Sequence, residues 1–201
     1  MSNINVICGT VPTELIQINK NELAQRLKID RGFEHSAIDL CIEEFNRVAV
    51  YRYAYACIPV NFTDENICNL GFGDIYSKNL CNILRGCKTA FVFAVTTGIG
   101  VDRLLNRFSV VSAAKHFITD AVASAAAESF CDYVDDMLRT NKEKPHRFSP
   151  GYGDLALEIQ PELLNMLNAT KNLGITINKS LLMTPVKSIT AIMGVRDENN
   201  S

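Results

Sequence analysis

The stretch from Ser109 to Arg139 constrains the fold of this chain most, because it contains no glycine or proline and is rich in alanine. Such a run without helix breakers predicts one long helix that rises about 1.5 Å per residue. Its small side chains include Ala121 and Ala125, which leave a low surface where another backbone or a ligand can approach closely. The sequence therefore predicts a long helix near residues 109–139 with a closely packed side.

The segment before this helix is the clearest strand. Within Lys88–Thr96, the residues from Ala90 to Val95 are continuously apolar, which is typical of a strand buried on both faces. Two other segments, Tyr51–Val60 and Ser188–Val195, also have strand character. Further helices are predicted over His35–Val50, over Lys78–Arg85 after a capping Ser77, and from Gln160 to Gly174. The mixture predicts an α/β protein.

The chain has no internal repeat, low-complexity segment or convincing linker, so residues 1–201 are predicted to form a single domain. Two weaker segments complete this outline. Val11–Ile18 is predicted to be a strand or an extended arm, and Asn61–Asn66 is predicted to be a polar loop.

Charge and composition exclude several classes of protein. The formal net charge is −2 and no basic block occurs, which argues against a nucleic-acid partner. No apolar run approaches the roughly 18 residues of a membrane span. Seven cysteines without a Cys-x-x-Cys pair, and no signal peptide at the N-terminus, favour a reduced, cytoplasmic protein. No catalytic triad or metal-ligand spacing is present, so we predict neither catalytic residues nor a metal site.

The turn after the strongest strand, Thr97–Arg103, has two interpretations. Gly98 and Gly100 form two-thirds of a dinucleotide-binding fingerprint, but Arg103 occupies the position of its third glycine. No acidic residue closes a second strand about 20 residues later, as that fingerprint requires. A strand-to-helix turn that needs glycine is the simpler interpretation.

The loop Arg147–Asp154 carries the strongest signal for a binding site. Pro150 and Gly151 suit the centre of a type II turn, which exposes backbone N–H and C=O groups on a stiff support. Arg147 adds donors that match a carboxylate, and Tyr152 adds a ring and a hydroxyl. A small zwitterion that carries an aromatic ring would suit this set. The alternative is a surface turn with an exposed arginine.

Glu128 is a carboxylate within an alanine-rich part of the long helix. A buried carboxylate is costly unless it is paired with a cation, so Glu128 is either paired and functional or simply solvated. The sequence leaves both interpretations open.

The order of these segments resembles the activation (reactivation) domain of cobalamin-dependent methionine synthase. The Arg-x-x-x-Gly-Tyr signature of that family matches Arg147, Gly151 and Tyr152. An Ala-Glu-x-Phe segment on a long helix precedes it, at Ala127–Phe130, and a Met-x-Pro segment at Met183–Pro185 follows it, before the last strand. The resemblance covers residues 90–195.

This resemblance implies an α/β fold with a twisted, largely antiparallel sheet and surrounding helices. It also implies S-adenosylmethionine as the ligand. Arg147 would pair with the ligand's carboxylate, and Glu128 would contact its positive amino or ribose end. Backbone at Ser149 and Gly151 would contact the adenosine part, next to Pro150 in the same turn, and Tyr152 would line the site near the corrin.

The function implied is that of an accessory protein in the methyltransferase system for methionine biosynthesis, and not a catalyst alone. It would bind S-adenosylmethionine for the reductive methylation of cobalamin held by a partner, either a methionine synthase or a related corrinoid protein. A flavodoxin-type protein would supply the electron. The alternative is a scaffold subunit of a corrinoid methyltransferase system that has lost ligand binding.

Overall fold

A computed structural model describes residues 4–29, 36–139 and 147–195. The strands are β1 (Val6–Val11), β2 (Tyr51–Pro59), β3 (Asn61–Asp64), β4 (Ile67–Asn69), β5 (Asp74–Tyr76), β6 (Thr89–Thr96), β7 (Arg147–Phe148), β8 (Thr176–Ile177), β9 (Met183–Thr184) and β10 (Ser188–Val195). The helices are α1 (Lys20–Leu27), α2 (Ser36–Asn46), α3 (Lys78–Leu84), α4 (Ile99–Val111), α5 (Ala113–Leu138), α6 (Gln160–Met166) and α7 (Ala169–Leu173). Short 3₁₀ helices cover Thr13–Leu15 and Leu157–Ile159.

The main sheet has five strands in the order β1-β2-β6-β10-β7, and every neighbouring pair is antiparallel. The apolar strand β6 lies at its centre, which is why both of its faces are apolar. A three-stranded sheet of β3, β4 and β5 and a small β8–β9 hairpin lie beside it. The predicted α/β class, with an antiparallel sheet and surrounding helices, is confirmed.

Helices cover both faces of the main sheet. Phe93 and Val95 of β6 face one core, which they share with α1, α2, α4 and α5. Val92 and Ala94 alternate with them and face a second core, which they share with α3, α6 and α7. This alternation is the period-two pattern of a strand, applied to a sheet with two buried faces.

The predicted long helix is confirmed as α5, but it begins at Ala113 rather than at Ser109. Ser112 separates α4 from α5 in an extended conformation, with φ −164° and ψ 104°. Its hydroxyl accepts a hydrogen bond from the Lys115 N–H at 3.3 Å, so that it acts as an N-cap for α5. The buried alanines Ala123 and Ala126 let α5 lie close to the sheet.

Several local predictions differ from the structure. Asn61–Asp64 is strand β3 and not a loop, because β4 supplies its hydrogen bonds. Of Val11–Ile18, predicted as a strand or an extended arm, Val11 ends β1 and Thr13–Leu15 form a 3₁₀ turn. Asn168, with φ 47°, divides the helix predicted from Gln160 to Gly174 into α6 and α7. The predicted start of α2 at His35 lies outside the described residues.

Within the part of the chain that the structure describes, none of the helices combines the length and the apolar character that crossing a membrane requires.

Candidate functional site

The turn after β7 has the geometry expected of its sequence. The N–H of Tyr152 donates a hydrogen bond to the carbonyl of Ser149 at 3.2 Å, and Gly151 between them has φ 87°. A positive φ at the third residue, after a proline, is the signature of a type II turn. The turn is closed further by a hydrogen bond from the Gly151 N–H to the Leu155 carbonyl at 2.9 Å.

Asp154 fixes this turn to the start of α3. Its carboxylate accepts hydrogen bonds from the Ser77 hydroxyl at 2.6 Å and from the Lys78 N–H at 2.8 Å. The Ser77 hydroxyl, followed by the N–H groups of Asn79 and Lys78, holds the pKa of Asp154 below its ordinary value. The turn is therefore anchored at both ends, by the β7–β10 pairing and by this carboxylate.

Arg147 lies at the start of the turn and contacts three carboxylates on α5. Its Nη1 donates to Asp132 Oδ1 and to Asp135 Oδ2, each at 2.6 Å, and its Nη2 donates to Glu128 Oε2 at 2.8 Å. The three acids are spaced i, i+4 and i+7, which places them on one face of the helix. We call these four residues the acidic cluster, because three carboxylates surround a single guanidinium.

Burial within the acidic cluster is uneven. The side chain of Asp135 is 6% exposed, that of Arg147 is 22% exposed and that of Asp132 is 53% exposed. Burial raises the pKa of Asp135, although the hydrogen bond and charge of Arg147 oppose this effect. Asp135 Oδ1 has no hydrogen-bond partner among the described residues. Asp135 therefore depends strongly on Arg147 for compensation of its charge.

A cavity of about 390 Å³ opens between the turn, α5 and β10. Five of the six predicted site residues line it: Glu128, Arg147, Ser149, Pro150 and Tyr152. Gly151, the sixth, is not among the described residues that line the cavity. The volume is within the range of about 300–1,000 Å³ that is usual for small-molecule sites.

The remaining wall of the cavity comes from residues to which the sequence analysis assigned no site. They are Phe148, Gln160, Met183, Ser188, Ile189 and Thr190. One edge of β10 faces β7, and only Ile192 and Met193 pair with that strand. Among the described residues, no strand covers the same edge of β10 before Ile192. Backbone groups of an uncovered strand edge can bond a ligand as they would bond another strand.

Hydrogen bonds to neighbouring residues hold the polar groups of this wall in place. Gln160 is buried, and its Nε2 donates to the Leu181 carbonyl at 3.1 Å. Ser188 Oγ lies 2.7 Å from the Pro185 carbonyl oxygen and 2.8 Å from Thr96 Oγ1. The Met183–Pro185 segment and the following strand were already part of the resemblance, and this was the available signal for the missed residues.

The structure resolves two alternatives that the sequence left open. Arg147 is not an exposed arginine on a surface turn, because it is mostly buried and bonds three acids. Glu128 is not simply solvated, because it pairs with Arg147. The other two acids of the acidic cluster, Asp132 and Asp135, were not predicted, although their i+4 and i+7 spacing after Glu128 places them on the same helix face.

The two glycines of the Gly-x-Gly turn are explained by close packing. A Cβ on Gly100 would lie 2.5 Å from the Val48 carbonyl oxygen, and one on Gly98 would lie 3.3 Å from Val50. Gly98 also has φ 87°. The close approach of the backbone after α2 therefore explains both glycines, which favours the simple turn.

Comparison with solved structures finds the crystal structure of the MetH reactivation domain bound to AdoHcy, with a TM-score of 0.71. The match covers 100% of this chain and 81% of that chain, at 14% sequence identity.

The chain has the fold of that reactivation domain. The resemblance inferred from the sequence is confirmed at the level of the fold, and the low identity limits it to that level. No protein-family model matches the chain, and no curated protein sequence does.

Within the described residues, no group of three or more His, Cys, Asp or Glu side chains is arranged to hold a metal ion. The carboxylates of the acidic cluster face a guanidinium instead. The groups that line the cavity supply charge, hydrogen-bond donors and acceptors, and aromatic rings.

Proposed function

We propose that the cavity binds S-adenosylmethionine and that the chain presents the ligand's methyl group to cobalamin held by a partner protein. The observation that carries this proposal is the convergence of Glu128, Arg147 and the turn on one cavity, in a fold shared with a domain crystallised with AdoHcy. The roles of Ser149, Gly151 and Tyr152 described below belong to the same proposal.

The charges of the ligand match those of the cavity. S-adenosylmethionine carries an ammonium, a sulfonium and one carboxylate, so its pocket needs acidic groups and one cation. Glu128 is the group for the ammonium. A guanidinium has five N–H donors, and Arg147 uses three hydrogen bonds on the acidic cluster, which leaves two donors for the ligand carboxylate.

The turn would hold the adenosine part, through backbone at Ser149 and Gly151. Tyr152 lines the cavity and is 66% exposed, so a corrin-bearing partner could contact it. The contribution of this chain is to hold the methyl group in line with its acceptor, which accelerates transfer by positioning. The cobalt chemistry belongs to the cobalamin, and a flavodoxin-type donor would supply the electron.

Isothermal titration calorimetry with S-adenosylmethionine tests the binding step. We expect the wild-type chain to bind and the Glu128→Gln variant, which keeps a hydrogen bond to Arg147, to bind roughly tenfold more weakly, since it loses a charge-assisted contact. Glu158→Gln is the matched control, because Glu158 is exposed and lies outside the cavity lining. Equal affinity of the wild type and Glu128→Gln would remove Glu128 from the site.

One observation favours a second candidate function, a scaffold subunit without ligand. The guanidinium of Arg147 is already bonded to three acids, so a ligand carboxylate has to share it. A scaffold would give no heat with S-adenosylmethionine, yet it would co-purify with a cobalamin-binding methionine synthase. Binding of S-adenosylmethionine by the wild type would exclude this candidate.

A further inference from the structure

We propose that the acidic cluster makes the cavity select its ligand by net charge, so that it holds the sulfonium form more tightly than the neutral thioether that remains after methyl transfer. This inference rests on the proposed function and assigns a role to Asp132 and Asp135, which do not line the cavity.

The acidic cluster leaves negative charge uncompensated beside the cavity. It contains the carboxylates of Glu128, Asp132 and Asp135 and the single positive charge of Arg147. Among the described residues, two further cations form ion pairs outside the cluster: Arg139 pairs with Asp136 at 2.5 Å, and Lys187 pairs with Asp120 at 2.7 Å. The excess negative charge therefore acts on whatever occupies the cavity.

The charges of the acidic cluster lie close enough to the cavity to act on a bound ligand. Glu128 and Arg147 lie on the cavity wall, and seven residues of helix separate Glu128 from Asp135, which is about 10 Å along the axis. Asp135 and Arg147 are mostly buried, so water and salt screen the cluster less than they screen exposed charges.

The two forms of the ligand differ in one charge. Methyl transfer breaks the S–CH₃ bond and leaves the bonding electron pair on sulfur, while the methyl group passes to the reduced cobalamin of the partner. The ammonium and carboxylate are unchanged, and the net charge of the ligand falls by one. A cavity beside excess negative charge loses attraction for the ligand at that step, which favours release of the product.

The test is a comparison of two affinities in three proteins. Calorimetry measures the dissociation constants of S-adenosylmethionine and S-adenosylhomocysteine for the wild type, Asp132→Asn and Asp136→Asn. Asp132→Asn removes one charge and no cavity contact, and Glu128 and Asp135 still bond Arg147. Asp136 is the matched control because it carries the same charge on α5 but pairs with Arg139.

We expect the wild type to prefer the sulfonium ligand by roughly tenfold, which is the scale of one or two unit charges at these distances. Asp132→Asn should reduce this preference by about threefold through weaker binding of the sulfonium ligand alone. Asp136→Asn should retain it. Raising the salt from about 0.02 to 0.5 M should also reduce the preference of the wild type.

The outcomes separate the two proposals. If the wild type binds neither ligand, the proposed function fails. If it binds both equally, or if Asp132→Asn weakens both to the same extent, charge selection is wrong while the binding function stands. A preference that Asp132→Asn leaves unchanged would also contradict charge selection.

Discussion

One guanidinium, that of Arg147, stabilises three carboxylates in this protein, and Asp135 depends on it most because it is 6% exposed. When one partner of a buried ion pair is removed, an uncompensated charge remains in a poorly solvated place. The two aspartates of the acidic cluster were not predicted, although their spacing after Glu128 was visible in the sequence. A pattern of acids on a helix gains meaning only when the cation that faces them is known.

Arg147→Ala is therefore expected to lower the free energy of unfolding by about 2–4 kcal/mol, since it leaves Asp135 buried without its cation. Urea unfolding followed by circular dichroism measures this. The matched control is Arg26→Ala, because the pair of Arg26 with Glu22 lies on the surface of α1 at 2.7 Å and should contribute about 0–1 kcal/mol. Losses of equal size in the two variants would contradict the special role of Arg147.

At the scale of elements, Asp102 joins α4 to the segment that enters β10. Both of its carboxylate oxygens accept the Val186 N–H, at 3.1 and 3.0 Å, and its side chain is buried. Burial raises the pKa of Asp102, against the opposing effects of the Val186 N–H and Lys187. This contact sets the path of the chain just before the cavity residue Ser188.

A raised carboxyl pKa means that the folded state binds the proton more readily than the unfolded state. Stability therefore falls as the pH rises from the unfolded pKa, about 3.9, through the folded pKa, and is constant above it. Asp102→Asn can still accept the Val186 N–H but does not titrate. We expect the unfolding free energy of Asp102→Asn, minus that of the wild type, to increase with pH across this window. Urea unfolding at several pH values measures it, and a difference independent of pH would contradict it.

At the scale of the whole molecule, ligand binding should raise the melting temperature of the protein. A ligand that binds only the folded state at about 100 times its dissociation constant adds roughly 2.7 kcal/mol. For a chain of this size, that raises the melting temperature by about 5–10 °C. We expect this shift in differential scanning fluorimetry with S-adenosylmethionine and none with NAD or NADP. A shift with NAD would revive the dinucleotide interpretation of Gly98 and Gly100.

Much of the fold could be predicted because it depends on local chemistry. The continuous apolar run in β6, the breaker-free α5, the Ser77 cap and the type II turn are each specified within a few residues. Propensity, capping and turn geometry act over that range. The sequence by itself determined these elements, their approximate bounds and the order in which they follow one another.

Only the tertiary structure decided what depends on contacts between distant segments. Pairing with β4 makes Asn61–Asp64 a strand, and packing against Val48 explains Gly100. The β7–β10 pairing carries Arg147 to the face of α5 that presents Glu128, Asp132 and Asp135, and the cavity exists because these elements meet. The free energies of such contacts depend on residues far apart in sequence, so no local pattern specifies them.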